Sequence, residues 1–498
     1  MHPAEQSGGR AAALQTDRPL TTRADRDVAR VAAETRLIPR VHIARARPLG
    51  RLPFGFSRRF FLFLLIGFVW LGSAWWAPEF AWVMVAWDAL LLLVWMFDAR
   101  QLPHPDEIEI RRVWTAPVAL STPSHVRIEL RNHGRTPIEA NLTDDVPVAL
   151  RREPPELPMA AAEAKSAIAP GQGVAEYEIV PLERGNAKLG NVFLRYEGPF
   201  RVADRRAVAS LEQTVRVYPN LEESKRNLIY LIRSRQMEQE RRLKRRRGIG
   251  REFESLREYR DGDEVRDICW TAAARRGKLI TKVYQVERSQ NVWVVLDAGR
   301  LLRARPDPQT SLSKLDHACN AALGLAQVAL YSGDRVGFLA YGRRVQQRLD
   351  AGRGTPHLRA LVEQLSLVAA EPYEANHVRA AQVVLSVQKQ RALVVWITDL
   401  AETAATPDVI ESAALMANRH LVLFVVLSQP ELAEMAGRRP ADAVGMYRYV
   451  AAEEMIQRRE LFLRRLRQQG ALTAEVEPRR LSLALVNQYL EIKERSLI

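Results

Sequence analysis

Cysteine is nearly absent from this 498-residue chain, which carries only Cys269 and Cys319. Two cysteines with no short Cys or His spacing around them exclude a disulfide framework and a structural zinc site, and they fit a reducing compartment. Also missing are a Walker phosphate loop, a haem or flavin motif, and any nucleophile paired with a base at a recognisable spacing. Those absences point away from an enzyme and give no reason to expect a cofactor. Acidic residues are in the minority, 58 Asp and Glu against 73 Lys and Arg, for a formal charge of +15. A basic balance has three readings: nucleic acid, the anionic cytoplasmic leaflet of a membrane, or an acidic partner.

What is present is the composition of a folded protein, 47% hydrophobic and 26% charged. Single hydrophobic cores stop growing at roughly 250–300 residues, so a tail and at least two folded units are expected. Residues 60–76 read FFLFLLIGFVWLGSAWW and residues 80–97 read FAWVMVAWDALLLLVWMF, with only Ala77, Pro78 and Glu79 between them. Each run is near the short end of what crosses hydrocarbon, and the connector is too short for separate domains, which predicts a transmembrane helical hairpin over 60–97. Six tryptophans, Trp70, Trp75, Trp76, Trp82, Trp87 and Trp95, lie within it, several near its ends where an amphipathic ring suits the headgroup level.

Arg40, Arg45, Arg47, Arg51, Arg58 and Arg59 precede the first run, and Arg100, Arg111 and Arg112 follow the second, whereas the connector carries only Glu79. Positive flanks stay inside, which predicts a bacterial inner-membrane protein with both termini and the bulk of the chain cytoplasmic. Residues 1–59 read as a disordered basic tail, too long and too polar for a signal peptide. Asp88, inside the second run, is costly there and faces its helix partner, is protonated, or lies in thinned bilayer.

Between residues 98 and 219 the period changes to two, as in His125-Val126-Arg127-Ile128-Glu129-Leu130, with turn signals at Asn132-His133-Gly134 and Gly198-Pro199. That pattern predicts a small β-rich, sandwich-like domain. Residues 220–249 read as a basic helical linker ending in the run RRLKRRR at 241–247. The run is suited to acidic lipid or to a solvated linker, and only secondarily to nucleic acid, because no aromatics interleave it.

From residue 250 on, apolar runs at 291–296, 335–340, 393–398 and 421–426 alternate with helical stretches, which predicts an α/β domain with a doubly wound parallel sheet over 250–498. In the first crossover, Ser313 and Asp316 form a capping-box pair. Asp297 and Asp399 end two of these strands, at the edge where ligands gather in such sheets. Either they cap the helical segments after the strands or they belong to a site.

The second possibility carries a resemblance. Asp297, Thr355 in Gly352-Arg353-Gly354-Thr355, and Asp399 in Ile397-Thr398-Asp399 look like the three loops of a von Willebrand factor A domain. In that family an Asp-x-Ser-x-Ser loop, a Thr and an Asp hold Mg²⁺. Here Gly299 and Leu301 stand at the two hydroxyl positions and Arg300 adds a positive charge, so a hard cation would have few oxygen donors.

A longer resemblance lies upstream, in GREFESLREYRDGDEVRDICW at 250–270 and in Ala274, Arg275 and Lys278 beyond it. This is similar to the signature of the bacterial family called domain of unknown function 58, with Leu-Arg-x-Tyr, Gly-Asp, Arg-x-Ile-x-Trp and Ala-Arg in that order; Cys269 stands where Asp is usual. The resemblance implies a membrane hairpin, a β-rich segment, a von Willebrand A-like end, and association with a MoxR-type AAA+ ATPase in envelope or complex assembly. It implies no reaction. Arg257, Tyr259, Asp263, Arg266, Trp270 and Arg275 are then either a structural clasp of ion pairs or a docking surface, Arg and Trp being the anchor types that interfaces favour. The leading expectation is a non-catalytic membrane-anchored adaptor for such an ATPase, ahead of a Mg-dependent ligand-binding or enzymatic domain and of nucleic-acid binding through 241–247. No small-molecule substrate is evident.

Overall fold

The computed structural model describes residues 37–50, 54–73, 75, 77–164, 170–220, 252–260, 265–285, 290–306, 312–399 and 406–495. Residues 221–249 of the predicted linker, with its basic run at 241–247, lie outside them, as does Asp263.

Two neighbouring helices open the fold, α1 (Arg58–Ser73) and α2 (Phe80–Gln101). They run antiparallel, since Trp70 stacks on Phe80 near the turn while the Trp87 indole donates to the Phe63 carbonyl at 3.0 Å further along. Gly67 makes that approach possible, because a Cβ there would fall 2.8 Å from the Trp87 ring. Asp88 flanks the same glycine, and so faces α1. Among the described residues α2 alone is long and apolar enough to cross a membrane, and 6% of its most apolar stretch is buried. The 16 residues of α1 fall short of the ~20 that a bilayer's hydrocarbon asks for.

The β-rich domain starts earlier than its sequence suggests. β1 (His42–Pro48) and β2 (Phe54–Phe56) fall in the stretch read as disordered tail, yet both are strands of this domain. β1 pairs through His42–Arg45 with β3 (Ile108–Trp114) and through Ala46–Pro48 with β10 (Ala203–Ala209). It thereby joins two layers: β3, β4 (Ser124–Asn132) and β7 (Gly171–Ile179) on one side, β10, β9 (Val192–Glu197), β5 (Ile138–Asp144) and β6 (Glu156–Ala161) on the other. The alternating burial of β3, β4 and β5 places Ile108, Ile110, Val126, Ile128, Leu130 and Leu142 in the core between them. A two-stranded piece, β8 (Gly185–Leu189) with β11 (Gln213–Val217), completes the domain.

That core also holds an ion pair. Arg112, counted in the sequence among the positive flanks of the hairpin, is fully buried and grips Asp144 through Nε and Nη2. Tyr177 donates to the same carboxylate at 2.6 Å, and the remaining guanidinium donors reach the carbonyls of Leu211 at 2.7 Å and Gly190 at 3.1 Å. Arg111 pairs with Glu109 at 2.7 Å. Of the three arginines after the second apolar run, only Arg100 is therefore left as a flanking charge of the kind an orientation reading rests on.

Asp98, in the last turn of α2, bolts that helix to the β-rich domain. Its Oδ1 accepts from the Phe200 N–H at 3.0 Å, and its Oδ2 from those of Val202 and Ala203, both at 2.9 Å. A carboxylate near a helix C-terminus opposes the helix dipole, and three backbone donors offset that. Phe60, Leu91 and Val202 pack beside the joint.

In the C-terminal part, β14 (Asn291–Asp297), β15 (Arg335–Tyr341), β17 (Leu393–Thr398), β18 (Leu421–Leu427) and β19 (Leu472–Val476) are parallel, and β16 (Val345–Gly352) is an antiparallel edge, in the order β16-β15-β14-β17-β18-β19. One face packs on α4 (Lys314–Tyr331), α5 (Gly354–Leu367) and α10 (Leu481–Glu494); the other packs on α6 (His377–Val387), α7 (Thr406–Ala417) and α9 (Ala443–Gln468). The first apolar run continues without polar interruption because it is covered on both faces. This sheet meets the sandwich through Arg184, 2.6 Å from Asp316, and through Glu363, which pairs with Arg216 and accepts from Tyr218 at 2.9 Å.

Candidate functional site

The two strand-end carboxylates do meet at one edge of the sheet. Asp297 ends β14 and Asp399 lies directly after β17, its neighbour, and both are almost wholly buried. Asp297 Oδ1 accepts from the Gly299 N–H at 2.7 Å, just ahead of the 3₁₀ segment Arg300–Arg303, whose cap position is Gly299 and carries no side-chain cap hydrogen bond, so Asp297 does not cap that segment. Its Oδ2 accepts from the Thr398 hydroxyl at 2.7 Å. Burial pushes the Asp297 carboxyl above the usual range, against the nearby His377, the Thr398 hydroxyl and the Gly299 N–H.

Thr355 is not brought to this site. β16 is antiparallel, so Val345 lies beside Tyr341, level with Asp297, while Gly352 lies beside Val336 at the start of β15. Thr355 comes three residues after Gly352, which puts it at the opposite end of the sheet, roughly 16 Å of strand away. His357 fixes that end, its Nε2 2.6 Å from the Val336 carbonyl oxygen.

The loop that does rise beside Asp297 joins α5 to α6, at 371–376. The Glu371 N–H donates to the Ala298 carbonyl at 2.8 Å, the Arg300 N–H to that of Tyr373 at 2.8 Å, and the Asn376 N–H to that of Gly342 at 2.9 Å. Arg300 itself pairs with Glu374 at 3.1 Å. Behind the loop, Tyr341 Oη lies 2.8 Å from His377 Nδ1 and accepts from the Trp396 indole at 2.6 Å. Burial lowers the His377 imidazole, opposed by the charges of Asp297, Glu374 and Asp408. An open cavity of about 740 Å³ adjoins this group, bordered by Arg343, Glu374, His377, Arg379 and Asp408.

Two cations missed in the sequence complete the site. Lys314 Nζ lies 2.6 Å from Asp399 Oδ2, and Arg459 Nη1 lies 3.9 Å from Asp399 Oδ1. Arg459 is shared with Glu475, 2.9 Å away. The local signal for Lys314 was a lysine directly after the Ser313 cap, against the helix dipole. Nothing local marks Arg459.

A divalent ion does not fit this donor set. Of the three residues that suggested it, one is at the far end of the sheet, one carboxylate already accepts an ammonium, and the other accepts a hydroxyl and a backbone N–H. Neither Gly299 nor Leu301 offers a side-chain oxygen. Among the described residues no three His, Cys, Asp or Glu side chains cluster as metal ligands.

The upstream signature forms a small element of its own. β12 (Glu252–Glu258) pairs antiparallel with β13 (Ile280–Gln285), apart from the six-stranded sheet, and α3 (Trp270–Arg276) crosses between them. Arg257 lies in β12, donating to the Glu258 carbonyl at 3.0 Å, and the Tyr259 N–H donates to that of Leu279 at 2.9 Å. Arg266 lies in the short 3₁₀ turn Val265–Asp267. Trp270 is 64% exposed at the start of α3, and Arg275 is exposed in its last turn. Beside these residues Lys278 pairs with Glu258 at 3.0 Å, a surface contact of small worth that is not one of the pairs expected of the clasp. Cys269 is partly exposed, and hydrogen bonds, foremost from the Ala272 N–H, lower its thiol.

Comparison with known proteins singles out the C-terminal part. Residues 255–454 match the family described as protein of unknown function DUF58. No curated protein matches the chain. Among solved structures, an aerotolerance-related membrane protein from Bacteroides fragilis NCTC 9343, carrying multiple mutations to serines, is 15% identical, with 40% of this chain and 98% of that one covered at a TM-score of 0.26. The conserved hypothetical protein BatB from Bacteroides thetaiotaomicron is 14% identical, with 42% and 100% covered at 0.27. Proximal thread matrix protein 1 from the mussel byssus is 11% identical, with 40% and 46% covered at 0.25. Likenesses at these scores carry no argument about function. The family match bears on the motif that began the resemblance, most of which it covers, from Leu256 to Arg275, and on the strands that carry Asp297 and Asp399: residues 255–454 of this chain match a DUF58 domain.

Proposed function

We propose that this protein is a non-catalytic adaptor of the bacterial inner membrane, anchored by the α1–α2 hairpin, with a von Willebrand A-like sheet that engages a MoxR-type AAA+ ATPase on the cytoplasmic side. The observation that carries the docking half of this reading is Trp270. A large indole left 64% exposed, with Arg275 and Arg276 one to two turns further along the same helix, has the make-up of an interface anchor rather than of a core. Its basic surroundings suit an acidic face on the partner. The anchor half rests on α2, whose apolar side chains, Trp82, Val85, Leu90, Leu92 and Leu93 among them, are exposed. The Asp98 joint turns that anchor into a fixed mount, so the sandwich and the sheet beyond it are held at the membrane.

The reading is tested by solubilising native membranes in mild detergent and recovering the full-length protein. It expects the chain to resist extraction at alkaline pH and to bring an AAA+ ATPase with it. A chain released by alkaline washing, or recovered repeatedly with no ATPase, overturns it.

A further inference from the structure

The Asp297–Asp399 edge raises a question the adaptor reading leaves open: what neutralises two neighbouring buried carboxylates at a strand edge. Lys314 is the first residue of α4, where the helix dipole disfavours a cation, and its side chain is nearly as buried as Asp399, with 7% and 0% of each exposed. An ammonium in that position is tolerable only with a close carboxylate, and Asp399 Oδ2 supplies one at 2.6 Å. Gln429 Nε2 stands 3.5 Å from the same oxygen. Asp399 Oδ1 is buried with no hydrogen-bond donor, and Arg459 at 3.9 Å leaves it short of one. The arrangement is that of a carboxylate built to face a cation, with the cation supplied by the chain.

We propose that the Lys314 ammonium is a resident counter-ion that stands in for a divalent metal at this sheet edge, so that the domain works without metal and does not bind a partner through a shared cation. Adding a divalent ion beside Lys314 and Arg459 would leave positive charge in excess and demand that the 2.6 Å pair be broken. The site is shut by a lysine.

The test uses the full-length protein in detergent, with Mn²⁺ as the probe and thermal unfolding of the C-terminal domain as the readout. Wild-type protein is expected to show no shift with Mn²⁺. Lys314→Met is expected to lower the midpoint by several degrees, since it strands a buried carboxylate, and Mn²⁺ is expected to restore part of that loss. Lys314→Met with Asp399→Asn removes both charges, and is expected to unfold above the single variant and to ignore Mn²⁺. The proposal is overturned if Mn²⁺ raises the wild-type midpoint, if Lys314→Met is as stable as wild type or is untouched by Mn²⁺, or if the double variant is no more stable than the single one. Should Lys314→Met not fold at all, a double variant that folds supports the pairing and one that also fails overturns it.

Discussion

Two buried cation–carboxylate pairs sit in the two halves of the soluble part, and they are built differently. In the sandwich, Arg112 and Asp144 are enclosed, with guanidinium donors on the carboxylate and on two carbonyls, and with Tyr177 on one carboxylate oxygen. At the α/β sheet edge, Lys314 meets Asp399 with one short contact and leaves a buried oxygen without a donor. A planar fork can satisfy a carboxylate from two sides, whereas an ammonium acts as a point charge. The first pair has the form of a structural fixture. The second has the form that the counter-ion proposal requires.

The comparison can be broken from the sandwich side first, where the largest effect is expected. Arg112→Met leaves Asp144 buried and unpaired, and should cost about 3–5 kcal/mol in chemical denaturation of the full chain. A loss below ~1 kcal/mol would mean that the pair is dispensable and that the contrast with Lys314 is empty. Next comes the joint: Asp98→Ala removes the acceptor of three backbone N–H groups and should cost about 1–3 kcal/mol. It should also raise protease sensitivity near residue 200 ahead of the rest of the sandwich, and equal sensitivity throughout would contradict a local role.

A smaller effect is expected at the sheet edge as pH falls. His377 is buried with its imidazole lowered, so the unfolded chain takes up a proton near the ordinary value of 6.5 before the folded one does. Stability of the α/β domain should therefore decline as pH drops below 6.5 and level off below the folded value, and His377→Gln should flatten that slope. A slope unchanged by the substitution would assign it to other groups. The smallest perturbation is chemical: iodoacetamide should label Cys269 in the folded protein, where hydrogen bonds lower its thiol, and spare Cys319, whose thiol burial pushes up to about 11. Equal labelling would mean that α4 does not stay packed.

Much of the α/β half was legible because its strands are covered on both faces and read as unbroken apolar runs, and because Ser313 and Asp316 do form the capping box. β16 and β19 were not legible, since an edge strand such as VQQRLDAG alternates too weakly to announce itself. That omission also misplaced Thr355, because only the antiparallel direction of β16 reveals which end of the sheet it occupies. β1 was hidden for another reason: in HIARARP the arginines look like a membrane flank, and the pairing that makes the segment a strand comes from residues 64 to 70 and 159 to 163 positions away. Long-range partners likewise kept Arg112, Asp98, Lys314 and Arg459 from being recognised, each being an ordinary charge until its partner is known.

The most direct test of the account compares wild-type full-length protein with Trp270→Ala after recovery from native membranes. The account expects an AAA+ ATPase to accompany the wild type and to be lost from Trp270→Ala, with the variant still in the membrane and its unfolding unchanged. An ATPase retained equally by both, or absent from both, would contradict docking through the signature element.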